Sequence, residues 1–268
     1  MEIRFAKDTD IESLKNIWSV CFGDSDEYIN FFFCNMFKKE NAIVAVIDEK
    51  IAGVVHLLDA NLNGKPFKYG YAIGVLPQYR GNSICRKMHD FIKELSIKKG
   101  FIYGLHPAND KLSLFYQSIG LNKMYSLKFK EEENFARGEK FEISDISPEE
   151  YLKIRDTHFK NIVSWNIETI KYMFDEAKHF GGFAKKIKID GSYKIMLVKV
   201  YNNTIYVKET TMNDDEIGRT SGFINSFFGG EKIYFSLPNN SALNTVSKTT
   251  IYGFGEENND VYMNLFFD

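Results

Sequence analysis

The stretch Tyr71-Ala72-Ile73-Gly74-Val75-Leu76-Pro77-Gln78-Tyr79-Arg80-Gly81-Asn82-Ser83 constrains this chain more than any other. An apolar run ends at Pro77, and a loop holding Gly81 follows. Then come Ile84, Met88, Phe91, Ile92 and Leu95 at helical spacing, ending at Gly100. The pattern reads as strand, turn, glycine loop and long amphipathic helix. Such a junction presents bare backbone N–H groups at the positive end of a helix, a ready site for phosphate or pyrophosphate. Arg80, Arg86 and Lys87 add positive charge around the same helix start. If the neighbouring strand, Phe101–Leu105, splays away from Ile73, Gly74 and Val75, their backbone groups are free to pair with an extended ligand.

The rest of the first half follows from the same kind of reading. Ile3 to Phe5 is a short strand. Ile11, Leu14, Trp18 and Cys21 mark a helix ended by Gly23, and Asp24-Ser25-Asp26-Glu27 opens a second, with Phe31, Phe32 and Phe33 consecutive. Two of those three phenylalanines are expected in the core and one partly exposed. Ala42–Ile47 and Ile51–Leu58 read as a hairpin, and Asn63-Gly64 turns the chain into a strand over 67–75. Asp110–Ile119 is a helix ended by Gly120, and Leu121–Lys130 a strand. The order β-α-α-β-β-β-α-β-α-β implies a mixed α/β sheet.

The polar stretch 131–140 is the linker candidate, dividing the chain into domains 1–133 and 134–268. Ser147-Pro148-Glu149-Glu150 is a strong helix start. A further helix is expected over 167–178, strands over 183–189, 193–200 and 204–210, a helix near Arg219–Phe228, a strand over 232–237 and a terminal strand, Val261–Phe267. The second half thus repeats the element order α-α-β-β-β-α-β, and two domains of related topology are expected. Asn213-Asp214-Asp215-Glu216 stands where a second glycine loop would be. Three consecutive acids repel a pyrophosphate, so this domain reads as non-catalytic.

Composition narrows the function. Of the 268 residues 44% are apolar, enough for a packed core, and the formal net charge is −2. A chain living on phosphate backbones is usually basic, so nucleic acid is not expected as a partner. Cys21, Cys34 and Cys85 carry no C-x-x-C spacing and read as buried free thiols of a reducing compartment. There is no signal core at the N-terminus and no run long enough to cross a bilayer, so no membrane association and a cytoplasmic location are expected. No His/Cys/Asp cluster has metal-ligand spacing, so no metal is implied.

The loop resembles the acyl-coenzyme-A signature of the GCN5-related N-acetyltransferases (GNAT), whose core is Q/R-x-x-G-x-G/A. Gln78 and Gly81 match, and Ser83 stands where the family has Gly or Ala. A second stretch, from Asn109 to Leu121 with Phe115-Tyr116 and Gly120, resembles the family pattern N-x-x-x-x-x-F-Y-x-x-x-G-F. The resemblance covers about residues 1–130. It implies the acyl-CoA N-acyltransferase fold, an α/β (α+β) architecture with a mixed, mostly antiparallel sheet flanked by helices. It also implies acetyl-CoA as co-substrate, held by Ile73, Gly74, Val75, Gln78, Arg80, Gly81, Asn82, Ser83 and Ile84. In the family the tyrosine of the second pattern lies near the thioester sulfur and serves as general acid; here that is Tyr116. Asn109 either caps its helix or contacts the pantetheine. The N-terminal part, Ile3-Arg4 through Cys21-Phe22, is similar to enhanced-intracellular-survival-type acetyltransferases, which carry a second, degenerate domain and then a sterol-carrier-like domain. The chain is too short for the third, which is expected to be absent, and the family's C-terminal carboxylate role is not carried to Asp268.

The expected activity is transfer of an acetyl group to a primary amine, on a small molecule or a peptide, by direct attack on the thioester. Backbone N–H at Val75 would polarise the carbonyl. For the base, His106 at the end of a strand ranks first, with His56, Asp59 and Glu27 as alternatives; His89 on the long helix is expected at the surface. A non-catalytic acyl-CoA-binding module and an aminoacyl transferase remain as other readings. The sequence leaves the acceptor and the oligomeric state open.

Overall fold

The computed structural model describes residues 1–133, 135, 139–238, 241–243, 247–255 and 261–263. They divide into two compact units. The first comprises Met1–Met124 and the segment from Ile251; the second comprises Tyr125–Thr250 and the described residues 261–263.

The first unit runs β1 (Glu2–Phe5), α1 (Ile11–Phe22), α2 (Asp26–Asn35), β2 (Ala42–Ile47), β3 (Lys50–Leu62), β4 (Lys65–Val75), α3 (Ile84–Lys99), β5 (Ile102–Leu105), α4 (Asp110–Ser118) and the start of β6 (Asn122–Glu132). Its sheet has the order β1-β2-β3-β4-β5, and the end of β13 (Ser247–Phe254) pairs antiparallel with β5 through Tyr252–Leu105 and Gly253–Gly104. Every neighbour pair is antiparallel except β4 and β5, which α3 connects and which run parallel. Asn63 and Gly64, both at positive φ, make the tight turn between β3 and β4.

Both faces of this sheet are covered. Leu14 and Ile17 of α1 pack on Ala42, Val44 and Val54. Ile84, Met88 and Ile92 of α3 pack on Val55, Tyr103 and Leu105. That is why β2 and β3 read as continuous apolar runs rather than alternating ones. Phe32 is buried, whereas Phe31 and Phe33 are half-buried. Cys34 is exposed at the end of α2, and Cys21 and Cys85 are half-buried, which corrects the reading of three buried thiols.

The second unit contains β7 (Glu142–Asp145), α5 (Pro148–His158), β8 (Val163–Trp165), α6 (Ile167–His179), β9 (Gly182–Ile189), β10 (Ser192–Tyr201), β11 (Thr204–Thr210), α7 (Asp214–Phe228) and β12 (Lys232–Pro238). Its sheet has the order β7-β9-β10-β11-β12-β6, with β11 and β12 parallel and the others antiparallel. Glu131 and Glu132 continue β6 and pair with Tyr234 and Ile233 instead of forming loop. α7 begins at Asp214, not near Arg219. Asn213 and Glu216 form a capping box there, and the acids satisfy the helix's own N–H groups. Of the expected terminal strand, Tyr262 makes a bridge to Ile162; residues 264–267 lie outside the described residues.

Candidate active site

The site begins where β4 and β5 part. Their parallel pairing runs from Phe67–Ile102 to Gly70–Leu105 and stops. β4 continues through Tyr71, Ala72, Ile73, Gly74 and Val75, paired only with β3 among the described strands. Ala72 has φ of 44°, and the β3 register shifts between Val54 and His56, so a bulge turns the end of β4 away from its neighbour. Leu76 donates its N–H to Ala52 at 3.0 Å. Backbone groups alternate along a strand, so those of Val75 and Ile73 face away from β3, into the gap. The Val75 carbonyl accepts the Arg80 Nε–H at 3.0 Å, leaving its N–H as the donor in the gap. A side chain at Gly74 would press on Ile17 and Cys21 of α1, at 2.9 and 3.2 Å.

The loop after β4 is a 3₁₀ turn, Pro77–Tyr79, followed by two left-handed residues, Gly81 at φ 83° and Ser83 at φ 56°. Ser83 costs about 1 kcal/mol more than glycine there, because its Cβ crowds the following carbonyl. The Asn82 side-chain amide donates to the Tyr79 carbonyl at 3.1 Å and closes the loop. In α2, α4, α5, α6 and α7 the N-cap side chain accepts a first-turn N–H. In α3 the Ser83 side chain does not, so the first-turn donors point outward from a loop whose Gly81 has open space beside it. This is the geometry that a pyrophosphate requires. Gln78 and Asn82 are exposed on the loop, while Ile84 is core and offers only its backbone. The Arg86 guanidinium donates to the Ser118 carbonyl at 2.9 Å, tying α3 to α4 rather than waiting at the loop.

Tyr116 of α4 is buried against the rings of Phe115 and His89. Burial pushes its phenol well above the usual range, so it holds its proton at every physiological pH. The Asn109 side chain accepts the Leu112 N–H at 3.0 Å and caps α4. His106 is half-buried directly after β5, one residue beyond the last β4–β5 pair.

The other candidate bases are placed differently. Asp59 accepts from Asn41 at 2.6 Å and from Lys68, toward the closed end of the β3–β4 ladder. Glu27 is exposed in the first turn of α2. His56 pairs in register with Tyr71 but is buried among Trp18, Phe32, Phe33 and Phe37, with ring centroids 5.3–6.0 Å away, and its Nε2 has no hydrogen-bond partner among the described residues. Burial pushes its pKa down to about 3, too low to hold the proton of an amine.

His89, expected at the surface, is 2% exposed. It follows Cys85 by four residues and precedes Ile92 by three, which puts it on the apolar stripe of α3. That spacing was the available signal. Its pKa falls to about 4, chiefly through burial. For both histidines the folded value lies below the unfolded one, near 6.5, so the unfolded chain binds more protons as pH drops through that window. Stability is therefore lost on acidification below about pH 6.5, by up to about 3 kcal/mol for His89 alone. Trp18 packs on His56, so its fluorescence in a Trp165→Phe background should report first-unit unfolding at pH 4.5 and native behaviour at pH 7. His56→Leu should flatten that dependence; an unchanged acid slope refutes the assignment.

The match to known families falls on this same segment. Residues 2–120 match the family model described as acetyltransferase (GNAT) domain. Over those residues the chain is similar to a GNAT acetyltransferase domain. The architecture extends beyond that segment. A GCN5-related N-acetyltransferase from Anabaena variabilis is 16% identical, with 94% of this chain and 71% of that one covered at a TM-score of 0.74. Eis1 from Mycobacterium abscessus is 13% identical, with 94% and 73% covered at 0.67. A tandem GNAT protein of the clavulanic acid biosynthesis pathway is 11% identical, with 96% and 100% covered at 0.57. No curated protein matches the chain by sequence. The chain thus has the acyl-CoA N-acyltransferase fold, and the GNAT match over residues 2–120 supports acyl transfer to amines. Among the described residues no helix is long and apolar enough to cross a membrane, and no group of side chains could hold a metal ion.

The second unit repeats the topology but fills the corresponding places with its own charges. β11 and β12 pair only as far as Val207–Phe235, and β11 goes on to Thr210. Beyond the last pair, Glu209 is fully buried and binds Arg155 at 3.0 Å and the Tyr151 hydroxyl at 2.5 Å. At the start of α7, Asp214 accepts the Ser241 hydroxyl and the Ala242 N–H, both at 2.8 Å.

Proposed function

We propose that the protein is an acetyl-CoA-dependent N-acetyltransferase acting on a primary amine through the first unit alone. One observation carries this reading: the gap beside Ile73–Val75 and the uncapped, left-handed loop at Gly81–Ser83 adjoin along one stretch of chain. The gap supplies backbone partners for the amides of a pantetheine arm, and the loop supplies donors for its pyrophosphate. The thioester of acetyl-CoA would bring an activated acetyl group to the point where β4 and β5 part.

In this reading the Val75 N–H polarises the thioester carbonyl. The amine nitrogen bonds to the carbonyl carbon, the carbon–sulfur bond breaks, and Tyr116 passes its proton to the departing sulfur. The amine's proton leaves through water or through His106, which adjoins the gap. His56, with its depressed pKa, does not take that part. The second unit, whose α7 starts with capped acids, takes the non-catalytic part. A small-molecule or peptide amine is the proposed acceptor, and no nucleic acid or membrane takes part.

Calorimetric titration of acetyl-CoA into the wild type and into Gly81→Glu tests the reading. Micromolar binding is expected for the wild type. The variant places a carboxylate beside the loop and strains a backbone at φ 83°, so affinity should drop by at least roughly a hundredfold. Wild-type protein that binds no acetyl-CoA overturns the proposal. Binding without thiol release in the presence of amines would favour a non-catalytic acyl-CoA module.

A further inference from the structure

A buried polar chain lies behind the gap. His89 Nδ1 is 2.8 Å from the Cys85 carbonyl, which can only accept. The proton is therefore on Nδ1, and Nε2 is left as an acceptor. The Tyr103 hydroxyl, 3.1 Å from Nε2, must be the donor. Tyr103 lies across Gly70, the last β4 residue paired with β5; a Cβ at Gly70 would collide with the phenol oxygen. On its other side the imidazole packs on the Tyr116 ring, with centroids 5.4 Å apart. The Cys85 thiol, 3.6 Å from Nδ1, stays protonated because burial pushes its pKa up to about 12.

We propose that His89 and Tyr103 are positioning residues for Tyr116. Two hydrogen bonds lock the imidazole between α3 and β5, and the locked ring is the plate against which the Tyr116 ring is held. The inference rests on the acyl-transfer reading above. Its physical basis is that a proton donor displaced by about 1 Å can lose on the order of a hundredfold in rate. Gly70 belongs to the same device, since only a residue without Cβ lets the Tyr103 phenol reach His89 across β4.

Tyr103→Phe keeps the ring and removes the donor, so folding is preserved. Its kcat for thiol release from acetyl-CoA should fall by roughly tenfold or more, with the calorimetric Kd for acetyl-CoA within about twofold. His89→Leu should behave alike, and His89→Gln, which can donate and accept, should recover much of the loss. In a Tyr116→Phe background Tyr103→Phe should cost nothing further, because residues acting through one group are not additive. Nitrogen-15 spectra should show His89 in the Nδ1–H form, with the Nε2 resonance shifting in Tyr103→Phe. Wild-type kcat in Tyr103→Phe, losses that multiply in the double variant, or an Nε2–H tautomer each overturn the proposal. Absence of thiol release in the wild type itself overturns the acyl-transfer reading, and this inference with it.

Discussion

Tyr116→Phe is expected to lower kcat by roughly a hundredfold or more while acetyl-CoA affinity stays within about twofold. A thiolate is a poor leaving group, and in the proposed mechanism the Tyr116 phenol supplies the proton that completes the break. The Tyr116 hydroxyl is kept protonated by burial, so the donor is loaded at any working pH. Phenylalanine retains the packing on His89 and Phe115, so stability should not confound the result. Single-turnover thiol release beside calorimetric Kd separates chemistry from binding. An unchanged kcat removes Tyr116 from the mechanism.

Glu209→Ala should destabilise the second unit by about 3–5 kcal/mol. Arg155 and Glu209 are both fully buried and joined through Nε at 3.0 and 3.1 Å, with Arg155 Nη2 on the Val163 carbonyl at 3.1 Å. Removing the carboxylate takes the buried counter-charge from a guanidinium whose ion pair with Asp156 is long, at 3.6 Å, and takes its acceptor from the Tyr151 hydroxyl. Typical domains have only about 5–15 kcal/mol in total. The two tryptophans fall one in each unit, Trp18 in the first and Trp165 in the second. Urea unfolding followed through Trp165 in a Trp18→Phe background therefore reads the second unit. The paired replacement Arg155→Met with Glu209→Leu should cost much less, because it removes both charges together. Equal losses in the two variants would show that packing, not charge, holds this site.

The parts of the site legible in the sequence are those built from consecutive residues. The strand, turn, left-handed loop and helix of 67–99 are one local junction, and Gly81, Ser83 and Asn109 act through their own backbone or that of the next turn. Helices and strands with clear period were readable for the same reason, except where a cap decided the start, as Asn213 and Glu216 did for α7. Burial was harder to read. His89 sits on an apolar stripe but looked solvated among Arg86, Lys87 and Asp90. His56 looked like a free base, yet four aromatic rings from α1, α2 and the segment after α2 enclose it.

By itself, then, the sequence determined the left-handed glycine loop and the mixed α/β class, because each rests on local backbone conformation or on apolar period, whereas Tyr116 as candidate acid came from the resemblance of its motif. Only the tertiary structure decided where β4 and β5 part, since pairing depends on residues such as Gly70 and Leu105, far apart in the chain. It also decided that β13 completes the first unit's sheet beside β5, more than half the chain away. And it decided which ionisable groups keep their charge, because desolvation is set by whatever packs around a group, and no single stretch of sequence states that.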